Sequence, residues 1–269
     1  MQHDTRRPFA QARALVRQLH DLGNVCAPAT VLASILEGIG QRDAYTLCTS
    51  PIGPVYVAYN GLGISAVMAA VSATEFEQAF RARFKRSLRQ VETLPAALAH
   101  MWQQQWSGKR RPVSRVDLRG ISEFERAVLH KAREVPRGEM RPYAWIAREI
   151  GHPQAVRAVG TALRRNPVPL LIPCHRIGKS DGRIGNYAFG SAAKHAILTT
   201  EGVDVNALEH LAHAGVRYHG SDTTRIYCFP TCRHARRISA RHRVSFRSET
   251  AATAAGYRPC AVCRPALAA

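Results

Sequence analysis

Two close cysteine pairs near the C-terminus place the tightest limit on how this chain can fold. They are Cys228-Phe229-Pro230-Thr231-Cys232 and, 27 residues later, Cys260-Ala261-Val262-Cys263. Brought together, they offer four thiolates in a tetrahedron, which suits zinc. A tail of about fifty residues has little core of its own, so a metal would supply much of its folding free energy. The spacing alone fits a structural zinc site and nothing more. Cys26, Cys48 and Cys174 bring the cysteines to seven. An odd count with pairs this tight suits metal or reactive thiols in a reducing cytoplasm better than a disulfide framework. Cys26 and Cys48 read as structural.

Lys and Arg number 38 against 19 Asp and Glu, a formal net charge of +19. Such an excess favours a polyanionic partner and salt-dependent binding. No apolar run is long enough to span a membrane. Met1 to Arg7 is charged with no apolar run behind it, so no secretory signal is expected. A chain of 269 residues has room for two domains and a small third.

Residues 8 to 23 read as an amphipathic helix ended by Gly23, and 28 to 37 as a second helix ended by Gly38. Residues 45 to 58 and 62 to 71 are rich in Val, Ile, Tyr and Thr, with turn signals at Pro51-Ile52-Gly53-Pro54 and Asn60-Gly61. They predict a β-hairpin. Residues 74 to 88 predict a helix whose Phe76, Phe80 and Phe84 stripe faces a core. Ser107 to Pro112 reads as a basic linker. Ser122 and Glu125 have capping-box spacing, and Phe124, Val128, Leu129 and Ala132 follow at helical spacing. Helices at 143 to 150 and 154 to 165, joined through Gly151-His152-Pro153, give a helix-turn-helix outline. Residues 192 to 201 read as helical, and 202 to 218 as irregular.

The strongest chemical signal is Pro173-Cys174-His175-Arg176, delivered by the Pro-rich run Asn166-Pro167-Val168-Pro169-Leu170-Leu171-Ile172. Most cysteines are small buried hydrophobes. Here a histidine follows directly, and Glu201 lies at the end of the next helix. A thiol attacks only as thiolate; an imidazole can take its proton, directly or through water, and a carboxylate can orient that imidazole. Adjacent Cys and His side chains diverge on an extended chain, which favours the water path.

Together with Arg157-Ala158-Val159-Gly160, Gly185-Asn186-Tyr187 and Glu201-Gly202, this run resembles the O6-alkylguanine-DNA alkyltransferases, which move an alkyl group from guanine O6 to their own cysteine. The resemblance spans about residues 45 to 203. It implies a mixed α/β (α+β) architecture. Residues 45–111 would be a ribonuclease-H-like domain, and 112–203 a helical, winged-helix-like catalytic domain with the helix-turn-helix. It implies Cys174 as acceptor, His175 as base, Glu201 as the orienting carboxylate and Asn166 as the holder of the turn. Arg157 would fill the space left by an extruded guanine, since guanine O6 in a duplex is beyond reach of a buried sulfur. Tyr143 would lie beside the flipped base and help neutralise the leaving guanine, and Tyr187 would line the alkyl pocket. Ala188 would offer its backbone N–H where the family has Ser. Small residues on the second helix, Ala155, Ala158, Gly160 and Ala162, would admit a narrow minor groove, with Arg164 and Arg165 on phosphate. Phe189 stands where the family has Gly, and Pro142 where a donor side chain is common.

The tail, Thr223 to Cys232 and Gly256 to Pro265, resembles the zinc-binding repair domain of the bacterial Ada adaptive-response proteins. The resemblance implies zinc held by Cys228, Cys232, Cys260 and Cys263. It also implies Cys228 as a second acceptor, taking methyl from DNA methylphosphotriesters. In that family the zinc module leads; here it follows, over 219–269, after a linker at 204–218 and with a helical leader at 1–44. The expected whole is a single-turnover, cytoplasmic, nucleoid-associated monomer acting on alkylated double-stranded DNA, with no membrane partner. The competing readings are a zinc tail that is purely structural or only docks on DNA, a non-reactive alkylguanine binder, a Cys-His-Glu hydrolase and a transcriptional regulator. The hydrolase would turn over repeatedly, which a basic chain with a helix-turn-helix outline disfavours, and the regulator would lack its usual activation domain.

Overall fold

The computed structural model describes residues 16, 29–69, 72–106 and 115–265. Most of the helix expected at 8–23, the basic linker at 107–112 and Cys26 lie outside the described residues.

A four-stranded sheet of order β3-β2-β1-β4 builds the first region. Its strands are β1 (Arg42–Ser50), β2 (Gly53–Asn60), β3 (Gly63–Ala69) and β4 (Ser87–Gln90). The expected hairpin is thus a three-stranded antiparallel meander: the stretch 45–58 turns back on itself at Pro51-Ile52. Gly53, at φ +98, supplies the left-handed conformation that this tight reversal requires. Helix α1 (Ala29–Gly38) is tied to the sheet, because Glu37 accepts from the Gly61 N–H and its carboxylate pairs with Arg89 on β4 at 2.9 Å.

Helix α2 (Ala73–Phe84) starts on a Ser72 cap and ends at Lys85 in the left-handed region, so the expected helix stops four residues early and its last residues become β4. Phe76 and Phe80 are buried against Tyr45 of β1, and Phe84 packs at the margin. Helix α3 (Ala96–Gln104) closes the other face, where Trp102 Nε1 donates to the Thr49 carbonyl at 2.8 Å.

A buried polar knot ties this sheet to the second region. Asn60 Nδ2 donates to both Asp43 and Asp117 at 2.9 Å, and Arg86 and Arg119 pair with those carboxylates. Helices α4 (Glu123–Arg133), α5 (Tyr143–Glu149) and α6 (Val156–Arg164) then pack on one another through Val128, Leu129, Ile146, Val159, Ala162 and Leu163. The Ser122–Glu125 capping box is formed on both sides. Between α4 and α5 the short strand β5 (Arg141–Pro142) runs parallel to β6 (Ile177–Gly178). Helix α7 (Gly190–Thr200) follows.

The stretch 204–218, expected as a linker, holds helix α8 (Val205–His213). Asp204 caps it and Val205, Leu208 and Ala212 are buried along one side. Its buried residues fall three and then four apart within a short segment bounded by Gly202 and Gly215, a pattern too brief to stand out from the surrounding polar residues. The last region is a second sheet of order β10-β8-β7-β9: β7 (Tyr218–Ser221), β8 (Ile226–Cys228), β9 (Arg243–Phe246) and β10 (Arg258–Pro259), with helix α9 (Glu249–Ala254). Gly220 permits it, because a Cβ there would lie 2.7 Å from the Tyr257 ring.

Candidate functional sites

Cys174, the expected acceptor, is held by a loop that one asparagine closes. Asn166 follows α6, and its Oδ1 accepts from the Val168 N–H at 3.0 Å. Its Nδ2 donates to the Ile172 carbonyl at 3.0 Å and to Cys174 Sγ at 3.3 Å. Pro167 and Pro169 restrict the backbone between, and Leu170, fully buried, takes a positive φ of 74, a strained conformation for a bulky residue. The sheet of the first region reaches this loop directly, since Val67 of β3 donates to the Pro167 carbonyl.

Cys174 opens a 3₁₀ turn, Cys174–Arg176, that buries all three side chains. His175 Nε2 lies 3.1 Å from Glu201 Oε1, while Arg176 binds the same carboxylate through Nε at 2.9 Å and Nη2 at 2.7 Å. His175 Nδ1 is buried without a protein partner. Glu201 caps α7, and the Gly138 N–H donates to it at 3.4 Å. Gly138, at φ +73, lies so close that a Cβ would meet the Glu201 carbonyl oxygen at 2.7 Å.

The electrostatics follow from burial opposed by these bonds. Burial pushes the Cys174 thiol up; the Asn166 hydrogen bond and the Lys194 charge pull against it. Burial pushes His175 down despite Glu201, which leaves a neutral imidazole able to accept a proton. Burial alone would raise Glu201, but the hydrogen bonds from His175 and Arg176 outweigh it and bring the carboxyl down to about 2. Lys194 is fully buried on α7, its Nζ donating to the Ile177 carbonyl at 2.6 Å, and burial lowers it to about 8.

Tyr143, the first residue of α5, is half-buried, and its hydroxyl would lie 3.7 Å from a Cβ on Gly185. Tyr187 stands edge-on to His175 at 6.0 Å and to Phe189 at 5.5 Å. Phe189 therefore packs on the tyrosine, and Ala188 is exposed. Along α6, Arg157, Ala158 and Arg164 point outward, Ala155 and Gly160 are half-buried, and Arg165 beyond the helix pairs with Glu125 at 3.5 Å. Ala162 is 2% exposed and lies on the inner face with Val159 and Leu163, so it is not one of the small residues presented outward.

Sequence reasoning gave no part to Lys194 or Arg176. A signal for the first was present: Lys194, Ile197, Leu198 and Glu201 share one helical face, so the lysine had to point where the carboxylate points.

The second sulfur cluster is assembled by strand pairing. Strand β8 ends on Cys228 and β10 runs beside it, Pro259 opposite Tyr227, so the Cys260 N–H donates to the Tyr227 carbonyl. Cys232 and Cys263 follow on tight turns. The four sulfurs are buried and lie within 4.8 Å of one another, a donor set that fits zinc. Cys228 and Cys260 border a cleft of about 530 Å³ that His234, Arg237, His242 and Arg258 also line; Cys232 and Cys263 do not reach it.

A family model described as 6-O-methylguanine DNA methyltransferase, DNA binding domain, matches residues 123–203, and one described as the metal binding domain of Ada matches residues 210–266. A methylated-DNA–protein-cysteine methyltransferase from Methanosarcina acetivorans is 32% identical over 163 residues, 59% of this chain and 97% of that protein. One from Rattus norvegicus is 51% identical over 82 residues, 30% of this chain and 39% of that protein. The crystal structure of Mycobacterium tuberculosis OGT in complex with DNA superposes with a TM-score of 0.50 at 27% identity, covering 62% of this chain and 99% of that one. Fold and sites thus define a mixed α/β DNA-repair methyltransferase that carries an Ada-type zinc-binding module. The chain belongs to the methylated-DNA–protein-cysteine methyltransferase family. Among the described residues no helix is long and apolar enough to cross a membrane.

Proposed function

We propose that the chain transfers an alkyl group from guanine O6 in duplex DNA to Cys174, once per molecule. The observation that carries this reading is a buried cysteine bonded by Asn166 and followed in the chain by a His175–Glu201 pair, within a chain of this family. His175 Nδ1 takes the Cys174 proton through a bridging water, and the ionised Glu201 stabilises the imidazolium that results. The Cys174 sulfur then attacks the O6-alkyl carbon. The S–C bond forms, the C–O6 bond breaks, and the electron pair leaves on guanine. Tyr143 donates toward that guanine, and Lys194 offsets the charge of the thiolate.

Because Cys174 is 7% exposed, the base must leave the stack. Arg157, on the outer face of α6, fills the gap. Ala155, Ala158 and Gly160 let the helix approach the minor groove, and Arg164 and Arg165 contact phosphate. The Ala188 N–H and Tyr187 line the pocket, and the Phe189 ring behind Tyr187 limits the size of alkyl group accepted. In fold terms we assign residues 45–111 to a ribonuclease-H-like domain and 112–203 to a winged-helix-like domain.

We further propose that Cys228 is a second acceptor, taking methyl from a DNA methylphosphotriester. Zinc, when bound, keeps the four sulfurs ionised without a base. Cys228 borders the open cleft, and the basic residues lining it suit a phosphate backbone. Sulfur gains the methyl, the methyl–oxygen bond breaks, and a phosphodiester anion is restored. Peptide mass spectrometry after exposure to two DNAs tests both assignments. An O6-methylguanine duplex should leave 14 Da on the Cys174 peptide, the mass of about one CH₂. A methylphosphotriester DNA should leave it on the Cys228 peptide. Methyl on Cys174 alone would reduce the tail to a structural or docking role. No methyl on either would overturn the whole reading.

A further inference from the structure

The zinc module sits against the helix that carries Tyr143, and the contacts are specific. Thr231 stands between the two ligands of the first cysteine pair. Its hydroxyl accepts from the Met140 N–H at 2.8 Å and lies 3.3 Å from the Met140 carbonyl. Two residues on, the Arg233 N–H donates to Glu139 Oε1 at 3.1 Å. Glu139 and Arg141 are buried and paired with each other. The Arg141 guanidinium lies between two rings, 5.3 Å from Phe229 of the ligand loop and 5.9 Å from Trp145 of α5. At the side of α5 the other cysteine pair makes a matching grip. Arg264, next to Cys263, pairs with Glu149 at 2.6 Å and lies over Trp145, and Arg148 donates to the Pro265 carbonyl at 2.6 Å.

What is held in this way is the frame of the reactive site. Residues 139–142 lead straight into Tyr143. Strand β5 within them pairs with β6, which follows Cys174-His175-Arg176 without a gap. Gly138, immediately upstream, donates to Glu201. The segment between Gly138 and Tyr143 therefore touches the carboxylate, the nucleophile turn and the aromatic ring at once.

We propose that the zinc-ligand loop is a positioning element for alkyl transfer at Cys174, acting through Thr231 on residues 139–142 and through Arg264 on α5. The loop touches neither the nucleophile nor the base; it fixes where Tyr143 stands relative to Cys174. Four sulfurs bound to one metal make a stiff anchor, and a hydroxyl bonded to a buried backbone transmits that stiffness. The inference rests on Cys174 being the acceptor for O6 repair.

The test uses the full, zinc-loaded chain and Thr231→Val, which removes the hydroxyl and keeps the shape and all four cysteines. The variant should keep its zinc and bind an O6-methylguanine duplex as the parent does. Its single-turnover rate of methyl transfer to Cys174, at saturating duplex, should fall about tenfold, the scale of one lost buried hydrogen bond. Amides of residues 140–146 should exchange faster, and Thr231→Ser should restore both rate and protection. Arg264→Ala, a more exposed contact, should slow transfer about threefold with the same local loosening. An unchanged rate in a zinc-loaded Thr231→Val chain would overturn the proposal. So would a slower rate with unaltered protection at 140–146. If the parent chain places no methyl on Cys174, the functional reading fails, and exchange alone decides the clamp. Chelating the zinc and replacing Thr231 must each then loosen 140–146, and unchanged protection overturns it.

Discussion

The chain places two sulfurs, Cys174 and Cys228, in opposite kinds of setting. At Cys174 the fold surrounds a single buried thiol with a hydrogen-bonded set: Asn166 on the sulfur, and Glu201 on a histidine that burial keeps neutral. At Cys228 four cysteines meet within 4.8 Å, a donor set that would hold zinc, and zinc there would keep the sulfurs ionised without a base. The first arrangement needs contacts from α6, the nucleophile turn and α7, so it exists only when a whole domain is packed. The second needs only two paired strands and two turns. A sulfur site can be specified by long-range packing or by short-range ligand spacing, and this protein holds one of each.

The largest effect that would separate the two is metal removal. Structural zinc in small modules contributes on the order of 10 kcal/mol. Besides its cysteines the tail has a small core cluster of Tyr227, Phe246, Ala252 and Tyr257, with Phe229 and Ala235 buried nearer the sulfurs. A chelator, or Cys232→Ser, should abolish protection of β7 to β10 in hydrogen exchange while β1 to β4 stay protected. A tail that keeps its protection without metal would show that this core suffices, and the contrast would collapse.

Next in size is Glu201→Gln. The carboxyl is held near 2, below its ordinary value, so its contribution is present at neutral pH and is lost as pH falls through about 4 toward 2. That contribution is on the order of 3 kcal/mol for a buried group so placed. The variant should be less stable to urea at pH 7 and should lack this part of the acid slope. Its transfer rate should fall about a hundredfold or more, as expected when a catalytic base loses its orienting partner. Parallel acid slopes for parent and variant would sink the account of Glu201.

These two regions also differ in how plainly they could be read. The zinc site lay open in the spacing of four cysteines, because both pairs are local and the strand pairing only joins them. The Cys174 site was legible as a set of residue types, Asn166, Cys174, His175 and Glu201, whose order carries a family resemblance. Its electrostatic frame was not. Arg176 and Lys194 act through partners 25 and 17 residues away. The interface of Thr231 with Met140 spans 91 residues of sequence, where periodicity has no reach. Secondary structure failed where tertiary context decides. The end of α2 at Lys85 depends on a left-handed residue that carries a Cβ, and α8 depends on burial against neighbours that composition does not announce. The outward set on α6 was over-read at Ala162, because small residues are equally at home facing a neighbouring helix.

A smaller effect is expected from Asn166→Ala. Its side chain joins Val168, Ile172 and Cys174; the Ile172 carbonyl still accepts from the Cys174 N–H, but truncation leaves the buried Val168 N–H unpaired and costs about 2 kcal/mol. Removing the bond to sulfur should also push the thiol further up, moving the pH–rate profile of transfer to Cys174 toward alkaline pH. The profile for Cys228 should not move. A shift at both acceptors would mean that Asn166 acts through general stability.

The smallest expected change is also the sharpest discriminator between the two sulfurs. Arg157 is exposed on α6, so Arg157→Ala should leave thermal stability within a few tenths of a kcal/mol of the parent, as for surface positions in general. What it should lose is help in keeping a base out of the stack, worth about 1 kcal/mol or a fivefold change in rate on paired DNA. Single-stranded substrate needs no such help, so transfer to Cys174 from it should be nearly unchanged. Transfer to Cys228 should be unchanged on either substrate, because a phosphotriester lies on the backbone and reaches an open cleft without flipping. Equal slowing on paired and single-stranded DNA would make Arg157 a phosphate contact. Slowing at Cys228 as well would mean that both sulfurs draw on one shared mode of holding DNA, and that the two sites are less independent than their chemistry suggests.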